Sequence, residues 1–244
     1  MSAKPQLGLI GYGAFGRLTA QHLSGWFDIL AHDPCTDDTG GTVVLTDLAA
    51  AAACPVVVLA VPVEVMAYTI AVIGPHLTPG ALVLDVGSVK VLPARAMLDG
   101  LPDTVDIVGT HPLFGPQSAQ GGIAGHRIAV CAVRGDRSAR RVAAFCRLAL
   151  RLKVFRVTPE DHDREAAVVQ GLTHLIARLL MAMEPLPDRM TTASFDRIMQ
   201  AVDMVRHDSP AVFRAIERDN PYAADVRARF FALADAARAG LAEG

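Results

Sequence analysis

The sequence predicts an α/β fold: a doubly wound, mostly parallel sheet followed by a smaller all-helical unit. Three observations carry that reading. Short uninterrupted runs of Val, Ile and Leu recur through the first part of the chain, and continuous rather than alternating apolar runs mark strands buried on both faces of a parallel sheet. Segments of helical length, Ala-rich or polar, separate those runs. Beyond Thr158-Pro159 no strand-like run occurs, and apolar residues recur at helical spacing.

The elements follow in order. Gln6–Ile10 is an apolar run that meets GYGAFG at once and then the helical pattern of Arg17–Leu23, so the chain opens as strand, tight turn and helix. A second run, Phe27–His32, stops at Asp33-Pro34. Further strands are expected at Pro55–Val61, Ala81–Val86, Val105–Gly109, His126–Val133 and Lys153–Val157. Helical periodicity then covers Asp161–Met183, Ala193–Val205 and Pro210–Ala239. The expected boundaries are an α/β domain over residues 1–157 and a helical domain over residues 158–244. A helical unit of that size without a self-contained apolar pattern commonly completes its core against a twin, so a homodimer is expected.

Composition narrows the function classes. The 244 residues are 52% hydrophobic, 20% charged and 5% aromatic, which suits a packed globular chain and excludes a disordered or fibrous one. A net charge of −2 offers no electrostatic footprint for nucleic acid or an anionic membrane. The longest apolar stretch, Leu48–Val63, is broken by Pro55 and Pro62 and is shorter than the ~20 residues of a membrane span. Cys35, Cys54, Cys131 and Cys146 form no CxxC pair and have no metal-ligand spacing with His. No segment resembles a signal peptide, and a soluble cytoplasmic protein with reduced thiols and no metal is expected.

Gly11, Gly13 and Gly16 form GxGxxG at the first strand-to-helix turn. There a tight turn, close approach to pyrophosphate and helix packing each require a missing side chain. With Ala14 and Phe15 they make the expected cofactor turn of a Rossmann-like domain. Asp33 ends the second strand, where a ribose diol is held in such domains. Its other reading is an ordinary turn residue before Pro34. The run ending in DVGSVK places Asp85, Ser88 and Lys90 past one strand, and the run ending in GTHPLFGPQS places His111, Gln117 and Ser118 past its neighbour. Ligands of open parallel sheets bind outside those carboxyl ends, so three polar loops converge. Within AAVVQGLTHLIARLLMAM, Gln170, Thr173 and His174 fall at i, i+3 and i+4 and share one face, with Arg178 a turn further. Burying these polar groups costs free energy unless they find partners, so they either join the domains or line a polar ligand site.

Together GLIGYGAFG, DVGSVK, THPLFGPQS and EDHDREAAVVQGLTH, in that order, resemble the prephenate and arogenate dehydrogenases of tyrosine biosynthesis, especially the compact plant-type arogenate enzymes. The resemblance runs from Leu7 to about Phe231 and weakens after Met183. It implies that His111 contacts the substrate ring hydroxyl, that Ser88 orients nicotinamide and hydroxyl, and that Ser118, Gln170 and His174 contact substrate. Asp208, in HDSPAVF, stands where plant-type enzymes carry an acid and implies recognition of the arogenate ammonium. Its other reading is an acid preceding a helix capped by Ser209-Pro210. Two features depart from the pattern: no regulatory or chorismate mutase extension is expected from these residues, and His32-Asp33 replaces the Ser-Arg features of plant NADP enzymes. NAD is therefore expected over NADP, because Asp33 would repel a 2′-phosphate and no Arg occurs in Pro34–Gly41.

The implied reaction is oxidative decarboxylation of L-arogenate to L-tyrosine, with prephenate as a second substrate. An imidazole with an unperturbed pKa near ~6.5 suits the proton acceptor. Alternatives are a prephenate-specific enzyme giving 4-hydroxyphenylpyruvate and an NAD-binding regulator without catalysis. A further alternative is a β-hydroxyacid dehydrogenase or imine reductase, but hydroxyacid members of that family use a lysine in the helical domain, and lysine occurs only at Lys4, Lys90 and Lys153.

Overall fold

The computed structural model describes residues 3–37 and 40–242. It divides into two compact units, Met1–Glu160 and Asp161–Gly244. The first holds an eight-stranded sheet of β1 (Gln6–Ile10), β2 (Asp28–His32), β3 (Val44–Leu45), β4 (Val56–Leu59), β5 (Leu82–Asp85), β6 (Asp106–Pro112), β7 (Arg127–Arg134) and β8 (Lys153–Arg156). Their spatial order is β3-β2-β1-β4-β5-β6-β7-β8. Every neighbouring pair is parallel except β6 and β7.

Period-two alternation sorts the side chains of each strand onto opposite faces. On one face Leu7, Leu9, Val58, Leu84, Val108 and Val130 pack with α1 (Ala14–Leu23) and α5 (Asp136–Leu148). On the other, Ile10, Val57, Leu59, Val83 and Ile107 pack with α2 (Leu48–Ala52), α3 (Val63–Ile73) and α4 (Val91–Gly100). The Ala run contributes Ala51 and Ala52, both fully buried, where a larger side chain would hold α2 off the sheet. All four cysteines are free thiols, and burial raises that of Cys146 to about 11.

Two strand expectations change. The two-residue β3 is too short to register as an apolar run. Strand β6 extends three residues past Gly109, because its far side pairs antiparallel with β7 through His111↔Ala129 and Pro112↔Ile128. His111 therefore lies within a strand and not in the loop after it.

The second unit is all helix: α6 (Pro159–Ala166), a π turn at Ala167–Gly171, α7 (Leu172–Ala182), α8 (Ala193–Val205), α9 (Pro210–Arg214), a second π turn at Ala215–Asp219, and α10 (Ala223–Ala242). The continuous periodicity expected over Pro210–Ala239 is broken at Asn220, which is extended at φ −79° and ψ 115°. The ring of Pro221 disfavours helical geometry in the residue before it. The Asn220 side chain then bridges the break, donating to the Asp163 carbonyl at 2.8 Å and accepting from the Tyr222 amide at 2.9 Å. The two apolar core clusters end within the first unit, at Val154. No helix of the described residues is long and apolar enough to cross a membrane.

Candidate active site

Strand register sets the site in the first unit. Ile10 pairs with Leu59, Leu59 with Asp85, and Asp85 with Gly109, so the carboxyl ends of β1, β4 and β5 form one row with Gly109 of β6, which runs on past it to Pro112. From that row leave the GxGxxG turn, the Ser88 loop and the end of β6 that carries His111. The strand order reverses beside β1, and this is the switch point at which open α/β sheets bind ligands.

The turn is built for close approach. Gly11 has φ +98°, and a Cβ on it would stand 2.4 Å from the Ala60 carbonyl oxygen. A Cβ on Gly16 would stand 2.2 Å from the Gly11 carbonyl oxygen, which is where α1 crosses the turn. Gly13 differs, since nothing lies within 4 Å of its Cβ position. It is the N-cap of α1 and offers no side-chain acceptor, so the first amides of the helix stay available to an anion. Asp33 accepts from the Tyr12 amide at 2.7 Å and from the Cys35 amide at 2.8 Å, one bond to each oxygen. A carboxylate has about four acceptor sites, so capacity remains for a ribose diol. The open turn and this carboxylate fit a dinucleotide.

One cation escaped the sequence reading, which searched only the residues following Asp33. Arg17, from α1, donates to Thr36 Oγ1 at 2.9 Å and lies 4.6 Å from the Tyr12 ring centroid. A helix residue 19 positions earlier thus reaches the loop after β2. Asp38 and Thr39 of that loop lie outside the described residues.

Ser88 is half-buried and His111 is buried. Beneath them Lys90 and Asp85 form an ion pair with both side chains almost fully buried. Burial pushes the Asp85 carboxyl up, and the Lys90 charge and hydrogen bond pull it down. Ser118 closes its own loop, accepting from the Gly115 amide at 3.0 Å and donating to its carbonyl at 3.2 Å. Gln117 is half-buried in the same loop.

In the second unit the structure brings His174 to Asp208: Nε2 lies 3.0 Å from Oδ2, and Nδ1 lies 2.9 Å from the Gln170 carbonyl. His174 is buried, while the Asp208 side chain keeps 31% of its exposure. Ser209 caps α9 with Pro210 in its first turn, so Asp208 precedes a helix start and also holds a histidine. The single face expected of Gln170, Thr173 and His174 does not form. Gln170 lies inside the π turn, where the 3.6-residue period does not hold, and Thr173 lies beyond it in α7, exposed, with its hydroxyl on the Val169 carbonyl at 2.6 Å. Arg178 is also exposed and stacks 4.1 Å from the Phe213 ring centroid. No group of three metal-ligating side chains gathers among the described residues.

Comparison with known proteins agrees with this arrangement. Residues 39–128 match the family model "Prephenate dehydrogenase, nucleotide-binding domain", and residues 158–244 match "Prephenate dehydrogenase, dimerization domain". A probable arogenate/prephenate dehydrogenase of Methanocaldococcus jannaschii is 32% identical over 49% of this chain and 27% of its own length. Arogenate dehydrogenase 1, chloroplastic, of Arabidopsis thaliana is 30% identical over 64% of this chain and 25% of its own length. The matched stretch is thus about a quarter of each of these relatives. Among solved structures, Aquifex aeolicus prephenate dehydrogenase in complex with hydroxyphenyl propionate and NAD+ superposes with a TM-score of 0.77 at 19% identity, covering 100% of this chain and 92% of that one.

The glycine geometry makes a testable distinction. Gly16→Ala must displace backbone and is expected to lower stability by about 2 to 3 kcal/mol. Gly13→Ala meets open space and changes it by less than about 1 kcal/mol. Urea unfolding of both variants checks this, and equal losses would contradict the geometry.

Proposed function

The chain belongs to the prephenate dehydrogenase family, whose two domain models it matches in order, and from that premise we propose that it oxidatively decarboxylates L-arogenate to L-tyrosine with NAD, accepting prephenate less well. The observation that carries this reading is the row of Ile10, Leu59, Asp85 and Gly109, past which the GxGxxG turn, Ser88 and His111 follow.

The turn at Gly11, Gly13, Ala14, Phe15 and Gly16 is proposed to hold the pyrophosphate, and Asp33 the adenosine ribose. NAD when bound supplies the hydride acceptor. His111 takes the proton of the ring hydroxyl as C4 gives up hydride, and Ser88 orients that hydroxyl. Loss of the ring carboxylate as carbon dioxide then aromatises the ring, and the phenolic oxygen regains a proton. The protein's part is alignment and one proton acceptor. On the family resemblance and the sequence spacing we propose substrate contacts at Gln117 and Ser118 and, independently, at Gln170, Thr173, His174, Arg178 and Asp208.

A homodimer is proposed on the dimerization-domain match and on the second unit's own surface, where Ile176, Leu179, Met183, Ile198, Phe231 and Leu233 are exposed. A unit that exposes this much large apolar surface is completed by association.

Replacing His111 with Asn is expected to cut turnover at least ~10²-fold, the loss typical of a missing general base, with NAD affinity unchanged. Absorbance at the NADH band in an arogenate assay reads this, and near-normal turnover would remove His111 from the role.

For the cofactor, Asp33 favours NAD by accepting from the ribose diol and repelling a 2′-phosphate. The Arg17 contact with Thr36 favours the opposite choice, because it brings a guanidinium to the same loop. We expect the Asp33 charge to dominate, giving higher catalytic efficiency with NAD and a gain for NADP in Asp33→Asn. Equal or better efficiency with NADP in the unaltered protein would show that Arg17 governs instead.

Substrate choice is proposed to turn on Asp208, since arogenate carries an ammonium where prephenate carries a ketone. A partly buried charge pair contributes ~1 to 3 kcal/mol. Asp208→Asn keeps an acceptor for His174 while removing the charge. The ratio of arogenate to prephenate efficiency should therefore fall by about tenfold or more, the equivalent of ~1.4 kcal/mol. An unchanged ratio would leave Asp208 as the partner of His174 alone.

A further inference from the structure

We infer that Lys90 and Asp85 are positioning residues: their buried ion pair fixes Ser88 and His111 relative to each other. The inference rests on the proposed role of His111 and goes beyond it. Strand β5 leaves the sheet at Asp85, whose parallel partner is Gly109. From Thr110 onward β6 has no strand on that side, and its carbonyl there would be a buried acceptor without a partner. The Lys90 ammonium takes the place of the missing strand, donating to the Thr110 carbonyl oxygen at 2.7 Å and to Asp85 Oδ2. Thr110 returns the connection by donating its hydroxyl to the Asp85 carbonyl at 2.5 Å.

Each contact lies one peptide from a proposed catalytic residue. The Thr110 carbonyl belongs to the planar peptide group that also carries the His111 amide, so fixing one fixes the other. Asp85 Oδ2 also accepts from the Gly87 amide at 2.9 Å, one residue before Ser88. A single carboxylate-ammonium pair thus ties the Ser88 loop and the His111 backbone to one point. Gly109 makes room for it, since a Cβ there would stand 3.3 Å from Lys90 Cδ. Lys90 is only 1% exposed and touches the chemistry through its neighbours. Stability alone does not account for the pair, because the desolvation of two buried charges offsets most of their attraction and an apolar pair of similar volume commonly serves as well.

The decisive variant is therefore the double replacement Asp85→Asn with Lys90→Met, compared with Lys90→Met alone and with Thr110→Val. Thermal melting, NAD affinity, kcat and KM are measured, together with the His111 ring resonance by NMR, assigned with His111→Asn. Lys90→Met alone leaves a buried carboxylate unpaired and should melt early. The double variant should recover melting and NAD affinity while kcat stays down by about tenfold or more, the scale of a misplaced catalytic group. Its KM should stay within about threefold, marking a loss confined to the reacting geometry. The His111 resonance should move in the double variant and in Thr110→Val. Recovery of turnover together with melting, or a His111 resonance unmoved in both variants, overturns the inference. If the unaltered protein oxidises neither arogenate nor prephenate, the activity reading fails on its own, and the His111 resonance still decides the positioning role.

Discussion

The constraint on which the first unit depends is the direction of its strands. A parallel pair cannot be joined by a short hairpin, so the chain crosses back over a face of the sheet before each new strand begins. Each crossover from β1 to β6 therefore leaves a connection at the same carboxyl edge. Once Ile10, Leu59, Asp85 and Gly109 stand in one row, residues far apart in sequence become neighbours at that edge. Apolar packing on both faces holds the row in place. A one-residue slip of β4 would exchange Val57 and Leu59 with Val58 between the two cores.

Much of this was legible in the residues. Continuous Val/Ile/Leu runs mark seven of the eight strands, and glycine spacing marks the tight turn into α1, because both report local requirements. What was hidden involves partners distant in sequence. The extension of β6 to Pro112 is imposed by antiparallel pairing with β7, and no pattern within GTHP announces it. Arg17 points toward Thr36 for a reason of tertiary structure that a search along the loop cannot find. The sequence places Lys90 past a strand end, but its burial and its bond to Thr110 depend on a gap left by the end of β5.

The helical unit shows the limit of periodicity more sharply. A spacing of i, i+3 and i+4 defines one face only while the helix keeps 3.6 residues per turn. Gln170 lies within the π turn at Ala167–Gly171, where that condition fails, while Thr173 and His174 follow it in α7 as neighbours about 100° apart, so His174 is buried and Thr173 faces outward. The pairing of His174 with Asp208 joins residues on different segments, the first legible from helical spacing and the second only from the family resemblance. The buried positions of this unit are largely small or polar: Ala167, Ala177, Ala215, Asp163, His162 and Glu217. Small side chains permit close helix approach but bury little apolar area, which leaves the unit's stability dependent on what covers its outer surface.

The same scale of reasoning bears on why a chain with only three lysines places one in its core. A lysine stem could reach solvent from most sheet-edge positions, since such side chains readily extend their charged heads into water. Here the ammonium is instead turned inward to a carboxylate and a backbone carbonyl, a costly arrangement that is stable only because each charge has a partner. Methionine would fill the same space at no electrostatic cost, but it could not donate to Thr110. The property that distinguishes lysine at this position is therefore its capacity to bond the end of β5 and the edge of β6 beyond it at once, and both points lead directly into residues proposed for the chemistry.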